Sequence, residues 1–175
     1  MTRAYHFVAD ILRDGRPVPP DGEWLTHDGP CVMCESGLHA SEHPYDALQY
    51  APGPILCLVE IEDEVARQDD KLLCRRRKII ARFDATDTMR AFCRWCALSV
   101  IHLWDAPQVV REYLEMGDES KRHAARAAAW AAARPAAWDA AWDAARDTAR
   151  DANKAEFKRL VDAKFAAMTN DREMG

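Results

Sequence analysis

The sequence predicts an α+β protein, with a small mixed-sheet head over residues 1–84 followed by helices and a long alanine-rich C-terminal helix. Three observations lead to this prediction. Short aliphatic and β-branched runs separated by Pro and Gly are typical of strands. Apolar residues at spacings of three and four after residue 86 are typical of helices. A four-residue repeat of alanine, tryptophan and basic residues fills most of the chain after residue 122.

Three runs of the head are predicted to be strands, at residues 5–9, 54–62 and 72–80. The run 54–62 is the clearest of them, because Pro and Gly precede it and β-branched residues lie near its end. Residues 43–51 fit two turns of helix. Pro44 is tolerated at the first helical position, where a backbone N–H has no partner within the helix.

Two helices are predicted over residues 85–117, and we expect them to pack on the head. The first has an apolar stripe made of Met89, Phe92, Cys93, Cys96, Val100 and Leu103. The second begins at Pro107 and has a buried side made of Val109, Val110, Tyr113 and Leu114. Gly117 is the predicted end of this helix, because glycine accepts the left-handed conformation that terminates helices.

Residues 122–169 predict a long helix, because alanine, arginine and lysine are strong helix formers. Pro135 is expected to kink it, since proline removes a backbone donor and crowds the preceding turn. The candidate interaction residues are Trp130, Trp138 and Trp142. They can pack on the head or on a second copy of the chain, which predicts a homodimer through this helix. A solvated arm is the alternative.

Composition limits the partners. The chain has 175 residues and a formal net charge of −5, and no apolar run approaches the roughly 18 residues that a membrane span needs. The first six residues lack the apolar segment of a secretory signal. We therefore expect a cytoplasmic protein with no membrane partner. The mild acidity argues against nucleic acid as the main partner.

The most specific string is Cys34-Glu35-Ser36-Gly37-Leu38-His39-Ala40-Ser41. It resembles the C-x-x-G-F-H-A-C signature of an uncharacterised domain that is common in phages and prophages. Further elements of that domain follow here in the same order, namely Pro44, Tyr50, Val59-Glu60 and Asp69-Asp70-Lys71. The resemblance covers residues 5–85, with Leu38 in place of the usual aromatic residue and Ser41 in place of the usual cysteine. It implies a phage or mobile-element origin and no particular activity.

The six cysteines allow a zinc site, since a structural zinc ion takes four thiolate or imidazole ligands. One candidate set is Cys31, Cys34, Cys93 and Cys96. A second set combines Cys31 and Cys34 with His39 and His43, close to the spacing of a zinc knuckle. The alternative is that the cysteines are ordinary thiols, and Cys93 and Cys96 in particular lie on a predicted apolar stripe.

An enzymatic alternative follows from the order of the predicted elements, which resembles that of ADP-ribosyltransferase-like folds. Under that resemblance His6 and Ser41 would hold the nicotinamide ribose of a dinucleotide, and Tyr50 would stack. Glu60, or the next glutamate on its strand, would polarise the reacting ribose. His39 completes the candidate catalytic set. The competing interpretation is that both histidines are hydrogen-bonded structural residues, and the sequence leans towards a protein that is not an enzyme.

A basic run occupies residues 75–78. Alternate residues of a strand point to opposite faces, so these four side chains cannot form a single patch. They predict a solvated edge strand that is protected from aggregation by charge. The chain has no Walker loop, Rossmann glycine pattern, G-x-S-x-G elbow or H-E-x-x-H sequence, which removes the commonest enzyme classes.

These observations lead to one functional hypothesis. The chain is interpreted as a small phage-type accessory protein that binds a host protein or protein complex, with inhibition of a bacterial defence system as its concrete form. Residues 1–121 hold 14 Lys and Arg against 21 Asp and Glu. The head lies within this acidic range and would be the recognition surface. A zinc-stabilised interaction module and the ADP-ribosyltransferase-like or nucleotide-binding domain are the alternatives.

Overall fold

The computed structural model describes residues 1–132 and 148–173, and these residues have the predicted α+β fold. The chain forms two compact units. The first consists of residues 1–86 together with the helical stretch that begins at Phe157, and the second consists of residues 87–156.

The first unit is built on five strands. They are β1 Thr2–Val8, β2 Trp24–Thr26, β3 Leu38–Ala40, β4 Ile55–Arg67 and β5 Leu72–Asp84. Their order is β1-β4-β5-β2, and β3 also pairs with β5. The sequence predicted a mixed sheet, whereas every pair among these strands is antiparallel. β4 and β5 are longer than predicted because they pair with each other along their whole length.

The prediction of an edge strand at residues 75–78 is wrong. β5 lies inside the sheet, with β4 on one side and β2 and β3 on the other. Two of its basic side chains form cross-strand ion pairs instead of guarding an edge. Arg76 lies 2.5 Å from Glu62, and Lys78 lies 2.7 Å from Glu60. Opposite charges on neighbouring strands stabilise such a pairing, so a basic run is compatible with a central strand.

A short β-bridge connects β1 to the residue that follows β3. The Tyr5 N–H donates to the Ser41 carbonyl at 2.7 Å, and the Ser41 N–H donates to the Tyr5 carbonyl at 2.9 Å. β1 therefore contacts both β4 and the residue that follows β3. Through this bridge, β1, β4, β5 and β3 form a closed ring of pairings.

Part of one face of the sheet is covered by the C-terminal helix. Cross-strand partners share a face, so Phe7, Leu56 and Phe83 form one buried row across β1, β4 and β5. The ring of Phe165 packs edge-on against Phe83, with centroids 5.0 Å apart. Phe165 belongs to the final helix, Thr148–Glu173.

Two more contacts hold this helix on the first unit. Phe157 is fully buried, and its ring packs edge-on against Tyr45 at 6.4 Å. The Tyr5 hydroxyl donates to Asp162 at 3.4 Å. Val161, one turn after Phe157, is also fully buried. The apolar spacing of four residues from 157 to 165 is therefore the buried stripe of this helix.

The opposite face contains the other core of this unit. Its buried members are Ala4, Val8, Leu38, Ala40, Cys57, Val59, Ile61, Leu72, Cys74 and Ile79. Leu12, Val18 and Leu25 pack against them from the segment between β1 and β2 and from β2 itself. A chain segment and β3 thus close this face in place of a helix.

The described residues hold five α-helices. They are α1 Pro44–Leu48, α2 Thr86–Ser99, α3 Gln108–Met116, α4 Arg122–Ala132 and α5 Thr148–Glu173. The predicted end of α3 is confirmed, because Gly117 has φ 68° and donates its N–H to the Tyr113 carbonyl. Pro44 is in the first turn of α1, where the His43 side chain caps the Tyr45 N–H at 3.2 Å.

The second unit has a small core between α3 and α4. Val110 of α3 and Ala125 of α4 are buried together with Ala106. The predicted apolar stripe of α2 is buried only at Phe92, and Cys93 is exposed. The prediction that Cys93 is a buried hydrophobic residue is therefore wrong, because periodicity alone does not say how wide the covered side of a helix is.

Part of the predicted tail helix falls outside the described residues, including Pro135, Trp138 and Trp142. The predicted range 122–169 is otherwise occupied by α4 and α5. Trp130, near the end of α4, is 85% exposed. Within residues 1–132 and 148–173, no helix combines the length and the apolar character that crossing a membrane requires.

Candidate functional site around Lys71

A tight loop between β2 and β3 contains Cys34 and Gly37, the first part of the Cys34–Ser41 string. Gly37 has φ 102°, and a side-chain Cβ at this position would lie 2.6 Å from Leu73 Cδ1, so glycine is needed for both conformation and space. Cys34 has φ 69°, which is uncommon for a residue with a side chain. Its N–H donates to His39 Nε2 at 3.1 Å, which ties the loop to β3.

A second part of the site lies just after α1. The Tyr50 hydroxyl donates to Asp70 at 2.6 Å, and the Gln49 amide donates to the same carboxylate at 2.8 Å. The hydrogen bond to Asp70 raises the pKa of Tyr50 above its usual value, and the same bond lowers the pKa of Asp70. Tyr50 is nonetheless 47% exposed. It is therefore an aromatic side chain held in one orientation at the surface.

Lys71 connects these two parts. Its side chain comes from the turn between β4 and β5 and is only 9% exposed. The ammonium nitrogen lies 3.2 Å from Cys34 Sγ and 3.7 Å from the centroid of the Tyr50 ring. Burial opposes the charged form, but the hydrogen bonds to Cys34 and Tyr50 outweigh burial and raise the pKa of Lys71. Cys34, Tyr50 and Lys71 are thus brought together from three segments of the chain.

A buried charged side chain lies on the face of the sheet opposite to the C-terminal helix. Arg77 is 5% exposed and donates to the His39 carbonyl. Burial lowers the pKa of Arg77 to about 10. Burial also lowers the pKa of His6 well below its ordinary value, and the charges of Arg77 and His39 act in the same direction. His6 and His39 are therefore both near Arg77 and are held in the neutral form at neutral pH.

The other members of the predicted catalytic set lie elsewhere. Ser41 is 2% exposed, and its backbone forms the bridge to β1. Glu60 pairs with Lys78 on the sheet face opposite to His6, because His6 aligns with Cys57 and Glu60 is an odd number of residues from that position. The Glu60–Lys78 pair lines a surface depression of about 350 Å³ that neither His6 nor Ser41 lines. The structure does not bring His6, Ser41 and Glu60 to one site.

The four cysteines of the first zinc set differ in exposure. Cys31 and Cys96 are partly buried, and Cys34 and Cys93 are exposed. Within the described ranges, no group of three or more His, Cys, Asp and Glu side chains has an arrangement that would hold a metal ion. In the second set, His39 and His43 accept hydrogen bonds from backbone N–H groups of Cys34 and Tyr45. Zinc binding stays a prediction, and a native mass spectrum of the purified chain would measure it.

Two features of the site were not predicted from the sequence. Asp70 and Lys71 enter the sequence-based prediction only through their order along the chain. The burial of Lys71 has no local sequence signal, because the residues just before it are mostly exposed. Arg77 was expected to be solvated. Its burial follows from the central place of β5, which depends on pairing between distant segments.

Comparisons with known proteins give one match. A protein-family model described as a domain of unknown function, DUF7666, matches residues 2–91, which is just over half of the chain. The match includes all five strands, α1 and the residues around Lys71. No curated protein and no solved structure matches the chain. The chain belongs to the DUF7666 family.

Proposed function

We propose that this chain is a small cytoplasmic accessory protein of phage type that acts by binding a macromolecule of the host. Inhibition of a bacterial defence system is the form of this activity that we would test. The partner is a protein or a protein complex, recognised by the acidic first part of the chain. The phage origin rests on the resemblance of residues 34–41 to the phage domain signature.

The observation that carries the proposal is the exposed and fixed side chain of Tyr50. It presents an aromatic surface of which 47% is accessible, while Asp70 and Lys71 hold its hydroxyl and its ring. Tyrosine is enriched among the residues that dominate protein–protein binding energy. A side chain that is already ordered loses less conformational entropy when a partner binds.

Two further observations favour binding over catalysis. The enzymatic alternative needs His6, Ser41 and Glu60 around one substrate, and these residues lie on different parts of the sheet. The depression beside Glu60 is open, and its charged lining residues are engaged in ion pairs, Glu60 with Lys78 and Asp21 with Arg82. Both observations weigh against a dinucleotide site built from these residues.

A site-specific photocrosslink tests the proposal. A photoreactive phenylalanine analogue is placed at Tyr50 in the full chain, which is then irradiated in bacterial extract. We expect one macromolecule to be captured from position 50, and unlabelled wild-type protein to compete for it. Met116, 63% exposed and in the other compact unit, is the matched control position.

A Tyr50→Ala competitor should be weaker by roughly tenfold or more, the effect expected for an aromatic side chain at the centre of an interface. Capture at position 50 that does not differ from capture at position 116 would contradict the proposal. The defence-inhibitor form has its own readout: the wild-type chain, and not Tyr50→Ala, should restore phage plating on cells with a defence system. Capture at position 50 without restored plating would support binding and would contradict the anti-defence role.

A further inference from the structure

We propose that Cys34 is a modification site, a reactive thiol that exchanges with small-molecule disulfides of the glutathione class, and that the Lys71 ammonium stabilises its attacking sulfur. This inference goes beyond the proposed binding and does not depend on it. It rests on the 3.2 Å distance between the Lys71 ammonium and Cys34 Sγ and on the difference between Cys34 and the four cysteines outside its loop.

The Lys71 side chain is 9% exposed, and its ammonium lies beside an atom that can carry negative charge. Among the residues that the structure describes, no carboxylate oxygen lies within the 4.0 Å of an ion pair with Lys71. The Asp70 carboxylate, next in sequence, accepts hydrogen bonds from Tyr50 and Gln49. The ionisable sulfur of Cys34 lies 3.2 Å from the ammonium, and the Tyr50 ring covers another side. The ammonium is therefore placed to stabilise the negative charge on the Cys34 sulfur during its attack on a disulfide.

The environment of Cys34 differs from that of the four cysteines outside its loop, Cys57, Cys74, Cys93 and Cys96. Burial raises the pKa of Cys57 and of Cys74 to about 11, which disfavours the reactive thiolate. Burial likewise raises the pKa of Cys96 to about 11. Cys93 is exposed like Cys34, but in the described part of the chain no Lys, Arg or His nitrogen donates to its sulfur. Exposure and a cationic neighbour therefore coincide at Cys34.

The loop fixes the backbone of Cys34 near Lys71. The Cys34 N–H donates to His39 Nε2, and the turn from Val32 to Ser36 is closed by backbone hydrogen bonds of 2.9 and 3.1 Å. The sulfur is therefore kept beside the ammonium without being covered, since Cys34 remains exposed. Access and charge stabilisation are the two conditions that thiol–disulfide exchange requires of the attacking thiol.

The proposed exchange transfers a disulfide bond from the small molecule to Cys34. The ionised sulfur of Cys34 attacks one sulfur of the small-molecule disulfide, and a new S–S bond forms as the original S–S bond breaks. The other half leaves as a thiolate, which takes up from water the proton that Cys34 released. Cys34 is oxidised, the leaving half is reduced, and Lys71 remains an ammonium throughout.

The test compares two cysteines within one molecule. The folded full-length chain is exposed to oxidised glutathione, samples are quenched in acid, and adduct formation at each cysteine is followed by peptide mass spectrometry. We expect the adduct at Cys34 to form roughly tenfold faster than the adduct at the exposed control Cys93. A Cys31→Ser variant is measured in parallel, so that the nearby thiol cannot displace glutathione from Cys34.

The role of Lys71 is tested by charge. Lys71→Met retains length and removes the charge, and it should bring the Cys34 rate down to that of Cys93 while the Cys93 rate is unchanged. Lys71→Arg keeps a cation and should retain most of the rate. Equal rates at Cys34 and Cys93 in the wild-type chain would overturn the proposal without any variant. An unchanged rate ratio in a folded Lys71→Met protein would remove Lys71 from it.

Discussion

The two faces of the five-stranded sheet are closed in different ways. The part of the first face that lies under α5 is apolar, with a row of Phe7, Leu56 and Phe83 packed beneath the buried stripe of the helix. The opposite face buries Arg77 and partly buries His6 among aliphatic side chains. The first face therefore stabilises the fold through the area that it removes from water. The second also carries the cost of burying polar groups, so changes to the two faces should have effects of different kind and sign.

The largest effect is expected on the apolar face. Phe157→Ala removes a fully buried ring that packs against Tyr45 and should lower the free energy of unfolding by about 3–5 kcal/mol, because a cavity remains where the ring was. Urea denaturation followed by circular dichroism measures this. Lys164→Ala, at an exposed position of the same helix, is the control and should change stability by less than about 0.5 kcal/mol. Similar values for the two variants would mean that the C-terminal helix does not stabilise the sheet.

The polar face should make stability depend on pH. The pKa of His6 in the folded chain lies well below its ordinary value of 6.5, so the unfolded chain binds more protons below pH 6.5. Stability should be full above pH 6.5 and should fall as the pH drops from 6.5 towards 5, by up to about 1.4 kcal/mol per pH unit for one proton. His6→Gln should reduce this slope, and His39, whose pKa burial also lowers, should account for part of what remains. Denaturation curves at pH 7 and pH 5 measure both, and an unchanged slope in the variant would exclude His6 as the source.

A change of opposite sign is expected at Arg77. The buried guanidinium donates a hydrogen bond to the His39 carbonyl, and burial lowers its pKa to about 10. Arg77→Met removes this desolvated charge and should raise the free energy of unfolding by about 1 kcal/mol, since buried charges are often less stabilising than apolar residues of similar size. Arg75→Met is the matched control. Arg75 donates to the Gly29 carbonyl at 2.9 Å, so its loss should destabilise the chain. A loss of stability in Arg77→Met would show that the face opposite to α5 is stabilised by this charge.

The smallest effect is expected where α5 meets the sheet through a polar contact. The Tyr5 hydroxyl and Asp162 are 3.4 Å apart, near the solvent-exposed rim of the apolar face. Tyr5→Phe should therefore change the free energy of unfolding by less than about 0.5 kcal/mol. Thermal denaturation measures this change. A loss comparable to that of Phe157→Ala would mean that polar contacts, and not buried rings, hold the helix.

Several local features were predictable. The end of α3 at Gly117, the position of Pro44 in α1 and the strands around residues 5, 57 and 76 follow from turn chemistry and periodicity within short windows. The predicted interaction residues of the tail include Trp130, which is 85% exposed. The buried residues of α5 are Phe157 and Val161, whose spacing of four was a usable signal that the more conspicuous repeat obscured.

The candidate site was predictable only in part. Cys34, His39 and Tyr50 drew attention through the motif, and the structure brings them to Lys71. The proposed set of His6, Ser41 and Glu60 did not form one site. Its members were chosen by their order along the chain, and that order does not say which face of a strand each side chain occupies once register and bulges are set.

The sequence by itself determined the class of fold, the positions of most strands and helices and the end of α3, because these depend on conformational preferences within a few residues. The tertiary structure alone decided that β5 is central, that Arg77 and Lys71 are buried, and that Cys34 lies against an ammonium. The physical reason is that burial and charge pairing are set by contacts between distant segments. Cys34 and Lys71 are 37 residues apart in the chain, and only the pairing of β3 with β5 brings their surroundings together.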